Sequence, residues 1–357
     1  MEAFVYSANP ARIIFGSGTI QKLPEELSKL GVTRPLVLST PQQVTQAENV
    51  SKILSGNIAG FFSEARMHTP VDVTQRACDH AAATQADALM SIGGGSTTGL
   101  GKAISIRTGL PHLSISTTYA GSEVTTHLGE TANGRKETKA DPKILPAVVI
   151  YDFDLTLTLP ANLAAASGVN TMAHAIEDLY ARNHNPVINL LATQGVKAMA
   201  NALPELVENP TSMNARSMAL YGAWLCGICL GNGGMSLHHN LCHTLGGSFD
   251  LPHAETHTIL LPHALSYNAP KAPETMKALG EVLSGSDGDA VKGLNALLSR
   301  IKVERGLKAL GMKESDIDKA ADIAMSKNFW NPREVERTAI RELIRRAWAG
   351  EEARADF

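Results

Sequence analysis

The chain has 357 residues, 44% hydrophobic and 19% charged, with a formal net charge of -3 and a pI near 6.5. That length permits two domains with a large core, and the weakly acidic balance argues against nucleic acid or an anionic membrane as partner. Aromatics at 5% leave little for base-stacking platforms, and no apolar run approaches the ~20 residues a membrane helix needs.

The N-terminus, MEAFVYSANPARIIFG, lacks a basic segment followed by an apolar run, so it does not read as a signal peptide. The four cysteines, Cys78, Cys226, Cys229 and Cys242, fit a reducing, cytoplasmic compartment. Cys226 and Cys229 form a CxxC in an apolar stretch with no second pair at zinc-finger spacing. They read as a buried helix face.

From residue 12 onward, short β-like runs alternate with amphipathic stretches. Strands are expected at 12–15, 35–38, 59–62, 88–92, 113–116 and 147–151. Helices are expected between them at 21–30, 43–54, 72–84 and 97–107. This alternation predicts a parallel sheet with helices on both faces. Residues 131–143 read as a polar loop. Beyond Pro160 the strand signals stop. Helical periodicity is found at 161–181, 187–203, 212–230, 235–245, 253–266, 274–283, 288–298, 303–309, 314–324 and 333–349, with glycine and proline in most gaps. The reading is an α/β dinucleotide-binding domain at 1–155 followed by an all-α substrate domain at 156–357.

Two loops in the first domain carry binding chemistry. Ser91-Ile92-Gly93-Gly94-Gly95-Ser96-Thr97-Thr98 follows a strand and opens a helix. Glycines let backbone amides approach a pyrophosphate, and the helix N-terminus adds partial positive charge. Ser96, Thr97 and Thr98 offer hydroxyls. Lys102 does not complete the P-loop pattern, and the loop is not GxGxxG. Ser116-Thr117-Thr118-Tyr119-Ala120-Gly121-Ser122-Glu123 follows the next strand. Both loops lie at carboxyl ends of strands, where ligands bind in open α/β sheets. The strand at 35–38 ends in Ser39-Thr40, with no acid to repel a 2′-phosphate, so NADH and NADPH are both permitted. The cofactor residues expected are Ser39, Gly94, Gly95, Ser96, Thr117, Thr118 and Ser122.

The stretch MSLHHNLCHTLGGSFDLPHAETHTILLPH, residues 235–263, holds six of the twelve histidines. His239 and His243 are four apart and share a helix face. Gly246 and Gly247 are expected to end that helix, and a second helix from His253 is expected to return past it. His239, His243 and His253 would then meet, while His257 and His263 read as ordinary core histidines.

Taken together, these residues resemble the iron-containing alcohol dehydrogenases over nearly the whole chain. The resemblance rests on the GGGS loop at 93–96, the TTxxGSExT loop at 117–125 and the GVNTMAHAIE run at 168–177. It rests further on HxxxHxLGG at 239–247 and PHAE at 252–255. It implies a dinucleotide-binding domain, a helical domain and an active site in the cleft. In that family an Asp, a His four residues later and two further His hold iron or zinc. The matching positions are Asn170, His174, His239 and His253, with His243 matching a non-ligand active-site histidine. Asn170 removes the only anionic ligand, and an amide oxygen is a poor ligand for these metals. A metal is therefore expected to be absent.

That departure, with the compact TTYAGSE loop at 117–123 and the NGRKET segment at 133–138, resembles a branch of the family that reduces a carbon–carbon double bond conjugated to a ketone in a small dicarboxylate, in bacterial breakdown of aromatic rings. The resemblance implies NADH or NADPH as cofactor and a homodimer built through a strand near residues 4–6. His243 and His253 are expected to polarise the ketone or return a proton, with His174, His239 and Asn170 orienting them. A basic residue for the dianion is sought among Arg135, Lys136, Lys139, Arg333 and Arg341. A metal-dependent alcohol dehydrogenase and a lyase of the dehydroquinate synthase type are the other function classes that fit the resemblance.

Overall fold

The computed structural model describes residues 4, 6, 8, 11–132 and 135–356, leaving aside the side chains of 135 and 136. The strand expected near residues 4–6 lies in part outside the described residues. The described residues divide into two compact units, one from Ala8 to Leu159 and a second that begins at Pro160.

In the first unit six strands form one sheet: β1 Arg12–Phe15, β2 Pro35–Leu38, β3 Gly60–Phe62, β4 Ala88–Gly93, β5 His112–Ser116 and β8 Val148–Tyr151. Their order is β1-β8-β5-β4-β2-β3, and every pairing is parallel. Helices α1 Leu23–Lys29, α2 Val44–Ile53, α3 Val71–Ala83 and α4 Gly95–Thr108 connect them. Strand residues alternate between two apolar layers, as side chains on a pleated strand must. Leu36, Leu38 and Leu89 pack with Val73, Ala77, Leu100 and Ile104 on one face. Val37, Met90 and Ile92 pack with Leu23, Leu27, Ala47 and Val50 on the other. Central strands are therefore buried on both sides, which is why they read as continuous apolar runs.

The expected polar loop at 131–143 is instead largely an antiparallel hairpin, β6 His127–Ala132 and β7 Arg135–Ala140. Its β6 strand buries alternate residues Leu128 and Glu130. Arg107 pairs with the buried Glu130 at 2.8 Å, so a charged residue faces inward without an unpaired charge. Polar composition concealed the period-two pattern.

The second unit is helical among its described residues: α5 Ala161–Asp178, α6 Pro186–Glu208, α7 Met213–Leu230, α8 Leu237–Phe249 and α9 His253–Asn268. These are followed by α10 Pro273–Val282, α11 Ala290–Arg300, α12 Ile317–Met325 and α13 Arg337–Ala349. Leu241, Leu245, Ile259, Leu260, Ile317, Ile340, Leu343 and Ile344 form its largest apolar cluster. Cys226 and Cys229 are buried on α7, and burial pushes both thiols up. No helix among the described residues is long and apolar enough to cross a membrane.

Two boundaries differ from expectation for physical reasons. Gly246 and Gly247 do not end α8. The helix runs to Phe249 and stops at Asp250, whose φ of 53° is left-handed. A Cβ at Gly246 would stand 3.7 Å from the Leu251 carbonyl, an ordinary contact, and one at Gly247 would meet nothing within 4 Å, so neither packing nor the helix stop requires these two glycines. The helix expected at 303–309 reduces to a single 3-10 turn, Leu307–Leu310.

Candidate active site

Within the first unit the two loops converge at the carboxyl ends of β4 and β5. Gly93 pairs with Ser116 in register, and the Thr117 amide donates to the Gly93 carbonyl at 2.9 Å. A Cβ at Gly94 would lie 2.7 Å from Thr118 Oγ1, so glycine is needed there for the loops to meet. A Cβ at Gly95 would meet nothing nearer than Ala120 Cβ at 3.8 Å and Ser122 Oγ at 4.0 Å. Gly95 is exposed at the first position of α4, and the Ser122 hydroxyl beside it has no hydrogen-bond partner among the described residues. Open space, a helix N-terminus and an unused hydroxyl are what a pyrophosphate requires.

Other expected cofactor residues are placed differently. Ser96 is half-buried in the first turn of α4. Thr117 Oγ1 accepts from Gln43 Nε2 at 3.1 Å. The Thr97 hydroxyl turns back to the Gly94 carbonyl at 2.9 Å, and Thr98 faces Ser114. Those two hydroxyls serve the loop itself. Ser39 is fully buried and donates to Ser63 Oγ at 2.9 Å, so its side chain is occupied inside the sheet edge. Its neighbour Thr40 is the more accessible hydroxyl at that strand end.

Lys102 carries no signal in sequence beyond its failure to complete a P-loop. In the structure its Nζ donates to Ser122 O at 2.5 Å, Thr125 O at 2.8 Å, Thr125 Oγ1 at 2.9 Å and His127 O at 2.9 Å. Burial pushes its pKa down to about 7, against the pull of Glu123. One side chain of α4 thus fastens the second loop to the helix that carries the first.

Within the second unit three helices bring the histidines together. Asn170, His174 and Glu177 lie at i, i+4 and i+7 of α5, on one face. α8 presents His238, His239 and His243, and α9 presents His253 and His257. The rings of His174 and His239 are 5.2 Å apart, and those of His239 and His243 are 6.2 Å apart. His257 lies 4.2 Å from His253 and 5.1 Å from His239. In sequence His257 reads as an ordinary core histidine. The structure places it at the centre of the group, fully buried, and burial drives its pKa well down so that it stays neutral. Its i+4 spacing from His253 was the available signal. His263 lies apart, buried near Arg305 and Arg346, with its pKa lowered to about 4 chiefly by burial.

Glu177, not among the site residues expected from sequence, also belongs to the group. Its Oε1 accepts from the His238 amide at 2.7 Å, and its Oε2 accepts from the Ser236 amide at 3.0 Å and from His239 Nδ1 at 2.5 Å. Burial pulls the Glu177 carboxyl up, but His239 and the amides outweigh it and hold it below its ordinary value. The carboxylate therefore caps the start of α8 and fixes the His239 ring, because an ionised carboxylate can only accept. His239 Nε2 and Asn170 Oδ1 are buried without partners among the described residues. His238 Nε2 bonds the His257 carbonyl at 2.9 Å, and burial lowers its pKa to about 4. The arrangement offers neutral imidazoles and one oriented by a carboxylate, able to donate to an oxygen that gains charge.

Residues 10–153 match the family model for iron-containing alcohol dehydrogenase, and residues 164–348 match the model for the C-terminal part of the Fe-containing alcohol dehydrogenase family. The chain is 51% identical over 350 residues to a maleylacetate reductase of a Rhizobium species, covering 98% of this chain and 99% of the relative. It is 50% identical to a maleylacetate reductase of Burkholderia cepacia, with the same coverage. The crystal structure of maleylacetate reductase from Agrobacterium tumefaciens superposes with a TM-score of 0.94 at 51% identity, covering 99% of this chain and 100% of that one. An iron-containing alcohol dehydrogenase from Corynebacterium glutamicum superposes with a TM-score of 0.93 at 37% identity, covering 100% and 98%.

Proposed function

The chain belongs to the iron-containing alcohol dehydrogenase family, and we propose that within it the chain reduces the carbon–carbon double bond of maleylacetate to give 3-oxoadipate. The observation that carries this reading is full-length identity near one half to maleylacetate reductases, combined with Asn170 where the family's carboxylate ligand would stand.

The loops fit a nicotinamide dinucleotide, with Gly94, Gly95 and the Ser122 hydroxyl offering the pyrophosphate its cradle. When bound, NADH or NADPH supplies a hydride to the carbon of the double bond far from the ketone. The residues of the helical unit deal with the charge that then collects on the ketone oxygen. Imidazole N–H groups of His243 and His253 stabilise that enolate, and one of them returns a proton to the carbon beside the ketone. Glu177 holds His239 in one tautomer, and His174 and Asn170 complete the pocket wall.

The donor set does not fit a resident iron. Three of the four family ligand positions are imidazoles and the fourth is an amide oxygen. The nearby carboxylate, Glu177, is engaged by three donors. A conjugated ketone needs less Lewis acidity than a simple one, because hydrogen bonds suffice for a delocalised enolate. A homodimer, a cytoplasmic location and a place in aromatic-ring breakdown belong to the same reading and rest on the family resemblance. The test is spectrophotometric NADH oxidation with maleylacetate, with and without chelator. Turnover that is insensitive to chelator is expected. Reduction of simple aldehydes with no turnover of maleylacetate would return the chain to the alcohol dehydrogenases.

A further inference from the structure

A dianionic substrate needs a cation close to the residues that handle its ketone. The described basic residues named from sequence are already committed. Arg341 pairs with Asp318 at 2.8 Å, and Lys139 pairs with the buried Glu130 at 3.6 Å. The Arg333 guanidinium lies 4.3 Å from the Tyr267 ring centre and donates to the Tyr267 carbonyl at 2.9 Å, a stacked and hydrogen-bonded position in the fold.

Lys327 is different, and nothing in its spacing pointed to it. The end of α12 and the chain that follows it contact one stripe of α8 and its N-cap. Asn240 Nδ2 donates to the Ala324 carbonyl at 3.1 Å, and Ser236 Oγ donates to the Trp330 carbonyl at 3.1 Å. Lys327, between Ala324 and Trp330 in sequence, donates from Nζ to Thr244 Oγ1 at 2.8 Å, one helical turn beyond Asn240. Positions 236, 240 and 244 are spaced by four, so they form one row on the helix. Thr244 adjoins His243 on the neighbouring row. The Lys327 ammonium has no carboxylate partner among the described residues, and burial alone lowers its pKa. Lys327 as a whole is exposed to solvent, so a ligand can reach it. It lines a cavity of about 210 Å³ whose wall carries Lys327, Arg333, Asn328 and Asn331 against a single carboxylate, Glu334. A partly desolvated ammonium whose hydrogen-bond partner among the described residues is a single hydroxyl is a strong donor awaiting an anion.

We propose that Lys327 is the anchor for one substrate carboxylate, set beside His243 so that a short oxo-dicarboxylate places its ketone at the histidines while its carboxylate meets the ammonium. The inference rests on the reduction proposed above. In maleylacetate one carboxylate is separated from the ketone by a single methylene, a spacing that suits a cation one helix row from the polarising imidazole. Lys327 thereby sets specificity for acids over neutral enones and aldehydes. It is a binding residue and takes no part in bond making.

The experiment compares the wild type with Lys327→Met and Lys327→Arg in the full chain saturated with NADH. Met keeps the stem and removes the charge on an exposed side chain, so the fold is retained. KM for maleylacetate should rise roughly tenfold to a hundredfold in Lys327→Met, the range expected for one charge-assisted hydrogen bond. NADH affinity and Tm should stay near wild type, and Arg should restore part of the loss. Calorimetric binding of adipate, an unreactive dicarboxylate, should weaken by a similar factor. Equal adipate affinity in wild type and Lys327→Met would overturn the subsite. So would an unchanged KM, or a fall in Tm with no selective loss of the acid. If wild type bound adipate through Lys327 yet failed to reduce maleylacetate, the proposed reaction would fall and the carboxylate subsite would stand.

Discussion

Glu177 Oε2 and His239 Nδ1 lie 2.5 Å apart in the buried interior of the helical unit, a carboxylate and an imidazole that define each other's state. The carboxylate fixes the ring's tautomer and leaves Nε2 as the face turned to the histidine group. The same carboxylate satisfies two amides at the start of α8, which would otherwise be buried donors without partners. The catalytic candidates on α8 are therefore held by a residue on α5.

Glu177→Gln should test that dependence. A glutamine cannot accept from all three donors, so a buried partner is lost at about 3 kcal/mol, within the range for breaking a buried pair. The variant should melt several degrees lower. The pH sign follows from the lowered carboxyl. A group whose folded pKa is depressed contributes stability above its unfolded value, about 4.3 for Glu, and loses it as pH falls through the folded pKa. The wild type should therefore lose stability more steeply than Glu177→Gln below about pH 4. Parallel acid limbs in denaturant titrations would show that Glu177 is not the group responsible.

The phosphate loop gives a test that separates binding from folding. Gly95→Val places its side chain in open space next to Ser122, so Tm should change little, by less than about 1 kcal/mol in stability. NADH affinity, read by fluorescence titration, should drop at least ~tenfold as amide-to-phosphate bonds are blocked. Gly94→Ala would instead push against Thr118 and disturb both loops, so it cannot distinguish the two effects. Unaltered NADH binding in Gly95→Val would move the pyrophosphate elsewhere.

Metal content is the third expectation. The protein as purified should carry far less than one iron or zinc per chain by elemental analysis, and chelators should leave turnover intact. The pairing of Glu177 with His239 is also the arrangement that orients metal-bound imidazoles, so Asn170→Asp should recover metal affinity by restoring one anionic ligand. Stoichiometric metal in the wild type, with activity lost on its removal, would reverse the assignment.

The sheet was legible because parallel strands buried on both faces read as short apolar runs, such as ALMSIG at 88–93, each closed by glycine or a polar loop. The β6–β7 hairpin was not, because HLGETA and RKETKA are polar on their outer face and their buried Glu130 is paid for by Arg107 in another element. The Asn133-Gly134 dipeptide, outside the described residues, was the turn signal that could have announced it. In the helical unit, local spacing was enough for His239 with His243 and would have been enough for Glu177 and His257, both on the faces of residues already singled out. Lys102 and Lys327 act on partners 20 to 83 residues away. No periodicity carries such contacts, because they depend on how helices pack and not on where a residue falls in its own turn.

The last prediction concerns His243 and His253. Both are half-buried, unlike the fully enclosed His257 behind them, so they are the imidazoles of the group that a substrate can meet. If their N–H groups stabilise the enolate, His243→Ala and His253→Ala should each lower turnover of maleylacetate by roughly a hundredfold to a thousandfold, the usual effect of removing one oxyanion donor. NADH binding should be retained, since the phosphate loops belong to the other unit. A packing role predicts a different pattern, in which Tm falls and activity per folded molecule stays near normal. His253→Ala also uncovers His257, whose ring lies 4.2 Å away, so a small Tm change is expected there and the comparison must be made per folded molecule. Two well-folded variants with full turnover would remove both histidines from the mechanism and transfer the donor role to His174 and His239.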